Sequence, residues 1–183
     1  MEDDICRPKK QGGLAILNLR VQNIALMVKH LHKFYNKEGI PWVNLVWQAY
    51  YSKNNVPHNS NNKGPFWWRD CVKLTDLYRG LATCQIKKGD TIMLWEEIWK
   101  GSILSRKWAE MHSFNRNNNI TIHDENFVAN YSSLFQLPLS MIAYDQFIIL
   151  SEQLDEIRGT QEHDIWTFMW GNSKYSAKKI YEI

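Results

Sequence analysis

The sequence has no long apolar run, and its acidic start is unlike a signal peptide. No stretch approaches the roughly 20 apolar residues that a membrane-spanning helix needs. The chain starts Met1-Glu2-Asp3-Asp4, whereas a secretory signal peptide starts with basic residues that lead into an apolar segment. These absences predict a soluble intracellular protein without membrane contact, in either the nucleus or the cytoplasm.

Cysteine is scarce as well. The three cysteines, Cys6, Cys71 and Cys84, are an odd number, and no two of them are separated by only two residues. This spacing fits neither a complete disulfide framework nor a zinc knuckle. His123 and His163 are isolated from any cysteine and from each other. We therefore expect the cysteines to be buried apolar groups, and we expect no metal or other cofactor in this chain.

Known catalytic motifs are missing too. The sequence contains no Gly-x-x-x-x-Gly-Lys phosphate loop and no Gly-x-Ser-x-Gly elbow. Carboxylate pairs such as Glu96-Glu97 are adjacent in sequence, so their side chains diverge on a helix or a strand and make poor acid/base pairs. The chain alone is therefore predicted to have no enzymatic activity and no small-molecule substrate.

Aromatic residues are abundant. They make up 13% of the 183 residues and include nine tryptophans, within a hydrophobic share of 44%. Such a composition is typical of a packed protein rather than a disordered one. The length suits one domain, or one domain with a fragment of another.

Apolar residues recur at helical spacing in several segments. After Asn18, a good helix cap, one stripe comprises Val21, Ile24, Ala25, Val28, Leu31 and Tyr35. Pro41 suits the first position of a second helix. Residues 140–157 keep the same period, and Gly159 supplies a stop.

A short β element is predicted near the middle of the chain. Lys88-Gly89-Asp90 indicates a turn, and residues 91–95 are apolar on both alternating faces, which is typical of a strand covered on both sides. Residues 164–171 alternate as a further hairpin would. The predicted fold is mainly α, with about five helices and a small antiparallel β element at 83–96. We expect the helix at 140–157 to pack against this strand or against the helix that follows Asn18.

Positive charge is concentrated in the first part of the chain. The net charge is only +3, but residues 1–107 carry 17 Lys plus Arg against 9 Asp plus Glu, and residues 108–183 carry 5 against 10. Lys29, Lys33 and Lys37 recur at every fourth position, which predicts a basic ridge opposite the apolar stripe. The residues we expect to contact nucleic-acid phosphates are Arg7, Lys9, Lys10, Lys29, Lys33, Lys37, Lys87 and Lys88.

The start of the chain carries the most specific motif. Its pattern is Cys-x-Pro-Lys-x-x-Gly-Gly-Leu-x-Ile-x-x-Leu, with matches at Cys6, Pro8, Lys9, Gly12, Gly13, Leu14, Ile16 and Leu19. This pattern resembles the signature that follows the polymerase domain in reverse transcriptases of plant non-LTR retrotransposons, the long-interspersed-element type. The chain departs from that signature at Ala15, where the family usually has Gly.

Three later stretches add to the resemblance. Residues 64–68 are similar to an aromatic-Trp pair after a glycine loop, and residues 94–99 to Phe-Trp-x-Asp-x-Trp, with Leu94 for Phe and Glu97 for Asp. Residues 175–181 look like the start of the family's zinc-binding domain. The resemblance implies a helical post-polymerase connector at residues 1–158 and the beginning of that domain at 159–183, truncated at its C-terminus.

The family's Mg²⁺-binding carboxylates and its zinc ligands would lie in parts not present in this chain. The resemblance therefore implies a non-catalytic fragment or remnant that contacts RNA or an RNA/DNA duplex, or that gives structural support. The alternative is a protein-interaction module that docks on a polymerase domain and binds no nucleic acid. In that case the aromatic surplus would serve packing or docking, through Trp42, Trp47, Trp67, Trp68, Trp95, Trp99 and Trp108. We also expect the segment after Gly159 to be poorly anchored, since the rest of its domain would be missing.

Overall fold

The structure is a computed structural model that describes residues 18–51, 56, 63–99, 101–123, 131–157, 162–171 and 175–181. The predicted fold class is confirmed. The described residues form eight α-helices and two small two-stranded antiparallel sheets. None of the described helices is both long and apolar enough to cross a membrane.

The first helix, α1, spans Leu19–Tyr35 and begins as predicted. The Val21 N–H donates to the Asn18 side-chain oxygen over 3.1 Å, which satisfies one of the free donors of the first turn. The predicted stripe is buried along most of its length, from Ala25 through Val28 and Leu31 to Tyr35. This face is the floor of the first core.

Three short helices cover that floor. They are α2 (Pro41–Val46), which continues into a π-helical turn at Trp47–Tyr51, α3 (Phe66–Val72) and α4 (Thr75–Leu81). Trp68 is fully buried, and its indole N–H donates to the Tyr51 hydroxyl over 2.9 Å. The buried members of the first core that carry rings are Phe34, Tyr35, Tyr51, Trp68, Tyr78, Trp166 and Phe168.

The larger sheet joins residues far apart in sequence. Strand β1 (Ala82–Gln85) pairs antiparallel with β4 (Ile165–Phe168), so that Ala82 lies opposite Phe168. The predicted hairpin at residues 164–171 is therefore wrong, because only one strand forms there. Its alternation has a different cause: Trp166 and Phe168 point into the first core, whereas Ile165 is exposed.

The central stretch is buried as predicted but forms little regular strand. Every residue from Thr91 to Trp95 is buried. The segment makes one isolated bridge, between Met93 and Thr121, and the Leu94 N–H donates to the Ile120 carbonyl over 3.0 Å. The chain then turns, and a second small sheet pairs β2 (Ile98–Trp99) with β3 (Ser102–Ile103).

A second core lies on the other side of this central stretch. It is closed by α5 (Leu104–Lys107), α6 (Ala109–Ser113), a 3-10 turn at Tyr131–Leu134 and α7 (Met141–Asp155). The predicted helix at 140–157 is thus confirmed, with Ser140 as its cap. It shares the second core with the central stretch, through Ile92, Leu94, Trp95, Met111, Phe135, Ala143, Leu150 and Leu154.

The described residues after Gly159 complete the first core. Besides β4, they include α8 (Ala177–Tyr181), which contacts α1. The Tyr181 hydroxyl accepts a hydrogen bond from the Asn18 N–H over 2.8 Å, and Ile180 is buried. The expectation that this segment is poorly anchored is therefore wrong for the described residues, because their apolar side chains fill a core that α1 begins. The domain boundary at 158 stays a prediction.

A buried aspartate fixes the turn that precedes the central stretch. The Asp164 carboxylate accepts hydrogen bonds from the backbone N–H groups of Lys87, Gly89 and Thr91 over 2.9, 2.8 and 3.0 Å. The carboxylate also accepts a hydrogen bond from the Thr91 hydroxyl over 2.7 Å. The Thr91 oxygen in turn accepts a hydrogen bond from the indole N–H of Trp166. Gly89 suits this turn, because its φ is +77° and a Cβ there would lie 2.8 Å from Ile122.

A buried ion pair joins α4 to the residues after the central stretch. The Arg79 Nε lies 2.6 Å from a Glu97 oxygen, and the two side chains are only 12% and 7% exposed. The other Glu97 oxygen accepts the Met93 N–H over 3.0 Å. Burial raises the pKa of Glu97 to about 7 against the attraction of Arg79. Burial also opposes the charge of Arg79, but the carboxylates around it, Glu97 first, raise its pKa, so it stays protonated.

This pair predicts a pH dependence of stability. In the folded chain Glu97 binds its proton more tightly than in the unfolded chain, where its pKa is 4.5. Between pH 4.5 and 7 the folded state thus holds the extra proton, and Glu97 lowers the free energy of unfolding as pH rises through this window. We expect the loss to reach about 2 to 3 kcal/mol relative to Glu97→Gln. Urea unfolding at pH 5 to 8 measures it, with Glu152→Gln as an exposed control; parallel curves for the parent and Glu97→Gln would contradict the assignment.

The burial of one face of α7 in the second core can be tested by mutation. Leu150 is fully buried and its neighbour Ile149 is exposed. Leu150→Asp places an unpaired charge in the core and should cost about 3 to 5 kcal/mol. Ile149→Asp, the same change one residue away, should alter the unfolding free energy by less than about 0.5 kcal/mol. Thermal melts followed by circular dichroism distinguish the two; equal melting temperatures for both variants would show that the face is assigned incorrectly.

Candidate nucleic-acid interface

Two lysines of the basic ridge, Lys29 and Lys33, lie on α1 outside its buried stripe. The third, Lys37, follows the end of α1 at Tyr35, and its φ of +46° turns the chain there. None of the three is buried. The Lys33 ammonium lies 3.5 Å from the Glu38 carboxylate just beyond the helix end. The predicted helical spacing therefore holds for Lys29 and Lys33 and is wrong for Lys37, because the helix ends two residues before it.

The fold extends the ridge to the turn at residues 87–90. The Lys37 ammonium donates to the Asp90 carboxylate over 2.6 Å, and the Lys88 ammonium lies 3.7 Å from the same oxygen. Lys37 also lies 4.6 Å from the ring centre of Trp47. Residues 50 positions apart in the sequence thus contribute to one basic strip, in which Asp90 is the bridging anion.

The remaining predicted lysine of the turn is paired as well. The Lys87 ammonium lies 3.2 Å from the Glu162 carboxylate, a mostly exposed side chain. Arg7, Lys9 and Lys10 lie outside the described residues. We define the basic strip as the ridge together with Lys87 and Lys88. Sequence reasoning found these lysines but missed their carboxylate partners, because Asp90 and Glu162 reach Lys37 and Lys87 only through the folded chain.

An aromatic surface adjoins the ridge, and sequence reasoning did not assign it to this site. Phe66 and Trp67, which we call the aromatic platform, are 73% and 39% exposed. The Trp67 ring centre lies 6.0 Å from that of His30 on α1 and 5.5 Å from that of Trp42. The signal in the sequence is the run Phe66-Trp67-Trp68, since three consecutive residues of a helix cannot all face the core.

His30 lies in an electropositive environment. The pKa of its imidazole is lowered, first by burial and then by the positive charges of Lys33 and Lys29. The imidazole therefore stays neutral at neutral pH and contributes a ring rather than a charge. Lys29 and Lys33 lie within one turn of His30 on α1, and His30 is the residue of α1 whose ring lies 6.0 Å from Trp67.

A cavity of about 440 Å³ lies elsewhere, between the two cores. Its polar wall includes Arg79, Glu97, Asp76 and Glu96, and none of the strip lysines lines it. With three carboxylates and one guanidinium, the wall is unsuited to phosphate. Both oxygens of Glu97 are engaged, by Arg79 and by the Met93 N–H. The Glu97 carboxylate, which takes the place of the family's Asp in the 94–99 stretch, thus serves to hold the fold together.

The described cysteines are free and poorly reactive. Burial raises the pKa of the Cys71 thiol to about 11, and burial also raises the pKa of Cys84. Both thiols therefore stay protonated near neutral pH. In the described part of the chain, no group of three His, Cys, Asp or Glu side chains is placed to hold a metal ion.

A second surface of functional interest is apolar. The outer side of α7 exposes five large side chains, which we call the α7 face: Met141, Ile142, Tyr144, Ile148 and Ile149. Asp145 and Glu152 are exposed on the same side. A helix that is apolar on its core side and also on its outer side is typical of one that is covered by a partner.

Comparison of the chain with family models, with curated proteins and with solved structures finds no match.

Proposed function

We propose that this chain is a non-catalytic, nucleic-acid-contacting connector of the kind found after the polymerase domain of non-LTR retrotransposon reverse transcriptases. The observation that carries the proposal is the Lys37–Asp90–Lys88 cluster, which unites the α1 ridge with the turn at residues 87–90. The ligand would be RNA or an RNA/DNA duplex, as the resemblance implies. No cofactor is part of this role.

Electrostatics supports a backbone contact rather than the reading of base sequence. Lys29 and Lys33 are four residues apart on α1, which spaces their charges about 6 Å along the helix axis, so two phosphates of one backbone can be contacted together. Lysine ammonium groups act on phosphates as point charges without base specificity. Each lysine that displaces a counterion adds to the salt dependence of the affinity.

The carboxylates of the strip limit its affinity. Asp90 offsets part of the charge of two lysines, and Glu38 and Glu162 each offset one. A phosphate that approaches Lys37 or Lys88 competes with Asp90 for the same ammonium protons. The strip thus favours a weak, salt-sensitive contact, which is suited to a module that assists a separate polymerase domain.

Neutralising a lysine and neutralising the aspartate of this cluster should change the affinity for nucleic acid in opposite directions. We expect Lys88→Gln to weaken binding of a fluorescent RNA/DNA duplex about two- to fivefold at 50 mM salt and to reduce the salt slope by about one. Asp90→Asn should strengthen binding by a similar factor, because it releases two lysines. Anisotropy titrations at three salt concentrations measure both. Arg116→Gln, an exposed residue beside the second core, is the control; equal affinity for all three variants would reject the interface.

The second candidate function is docking on a protein, and the α7 face favours it. Met141, Tyr144 and Ile148 form one apolar stripe, and Ile142 and Ile149 form another, with Asp145 and Glu152 between them. This pattern is complementary to a helix that carries apolar residues flanking a Lys or Arg row. The partner would be a polymerase domain that presents such a helix.

Charge placed on this face distinguishes docking from simple exposure. Ile148→Asp should weaken binding to the polymerase domain of a plant long-interspersed-element reverse transcriptase about tenfold or more, because a buried unpaired charge opposes association. Leu19→Asp, the same kind of change at an exposed residue of α1, should leave binding unchanged. Pull-down and sedimentation experiments measure the association. An Ile148→Asp protein that binds like the parent would contradict this role.

A further inference from the structure

The aromatic platform has a cause in the geometry of α3. This helix buries Trp68, Cys71 and Val72. With those side chains toward the first core, the ring of Phe66 extends into solvent and that of Trp67 lies at the boundary. A phenyl ring that is 73% exposed contributes little to the first core. Its position therefore calls for an explanation other than stability.

The Trp67 ring of the platform is held in a defined position by neighbouring rings. The Trp67 ring packs edge-on against Trp42, at 5.5 Å, and near His30, at 6.0 Å. Before Phe66, Gly64 has φ +108°, and a Cβ there would lie 2.6 Å from the Trp68 ring. The chain thus approaches α3 in contact with a fully buried side chain. Rings that are fixed before binding lose little conformational entropy when a ligand stacks on them.

Basic residues lie close to the platform in the fold or in sequence. Lys29 and Lys33 lie within one turn of His30 on α1, and the His30 ring centre is 6.0 Å from that of Trp67. Lys63 and Arg69 flank the platform in sequence and are both exposed. The nearest carboxylate in sequence, Asp70, is paired with Lys73 at 2.6 Å. Exposed rings within a basic surface are complementary to a ligand that carries both flat apolar groups and negative charge.

Resting on the proposed function, we infer that the aromatic platform stacks on the bases of single-stranded nucleic acid while Lys29 and Lys33 contact its phosphates. Unpaired bases offer a free face to an exposed ring, whereas the bases of a duplex are already stacked on each other. Every base has such a face, so this contact is tolerant of sequence. The strand would cross α1 at the platform and continue along the ridge toward Lys37.

The test separates bases from backbone. A labelled strand of about 12 thymidines is compared with the same backbone bearing abasic sites, a length that fits binding sites of this type. Phe66→Ala should weaken binding of the thymidine strand about tenfold and leave the abasic strand and the salt slope unchanged. Phe66→Tyr, which keeps the ring, should bind like the parent. Met169→Ala, at an exposed apolar residue just after β4, is the matched control.

Phe66 is the residue of choice because its exposed ring can be removed without opening the core. If the parent binds in a salt-dependent way but Phe66→Ala does not weaken binding, or weakens both strands equally, the stacking inference is wrong and the proposed function stands. If the parent binds neither strand nor a duplex at low salt, both are wrong. If Phe66→Ala weakens binding of the thymidine strand and not of the abasic strand, the aromatic platform is the surface on which the bases stack.

Discussion

The structure depends most on the carboxylate of Asp164. An ionised carboxylate has only acceptors, and here it meets three backbone N–H groups and one hydroxyl. Hydrogen bonds to a charged group are stronger than neutral ones, and in a buried site each donor without this partner would be costly. One side chain thereby fixes the course of residues 87–91. Asp164 immediately precedes β4, so the turn, the larger sheet and the central stretch are fixed together.

The basic strip depends on that arrangement. Lys88 and Asp90 lie in the segment that Asp164 holds, and Asp90 meets Lys37 at the end of α1. The position of the strip is therefore set from inside the protein, by a buried carboxylate that bonds the backbone of the turn. The second link between the cores, the Arg79–Glu97 pair, holds α4 against the residues after the central stretch. The surface and the interior are consequently coupled through a few buried polar groups.

The sequence predicted what local rules determine. The α1 and α7 helices, the Asn18 cap and the burial of residues 91–95 all follow from period and capping. The partner of β1 could not be predicted, because Ile165–Phe168 lies 80 residues away and its alternation fits a hairpin as well as a single strand. At the site, helical spacing predicted the arrangement of Lys29 and Lys33. The position of Lys37 beyond the helix end and its contact with Asp90 depend on long-range packing.

The closure of the first core has a consequence for biosynthesis. Helix α1 receives β4 and α8 from the last part of the chain, and Asn18 bonds Tyr181 across a separation of 163 residues. A ribosome must therefore release the aromatic side chains of α1, α2 and α3 well before the strand that covers them exists. The second core draws its described members from residues 92–154 and can assemble earlier. The nascent chain thus cannot complete its first core until residues 165–181 have been made, whereas the second core already has all of its described members by then.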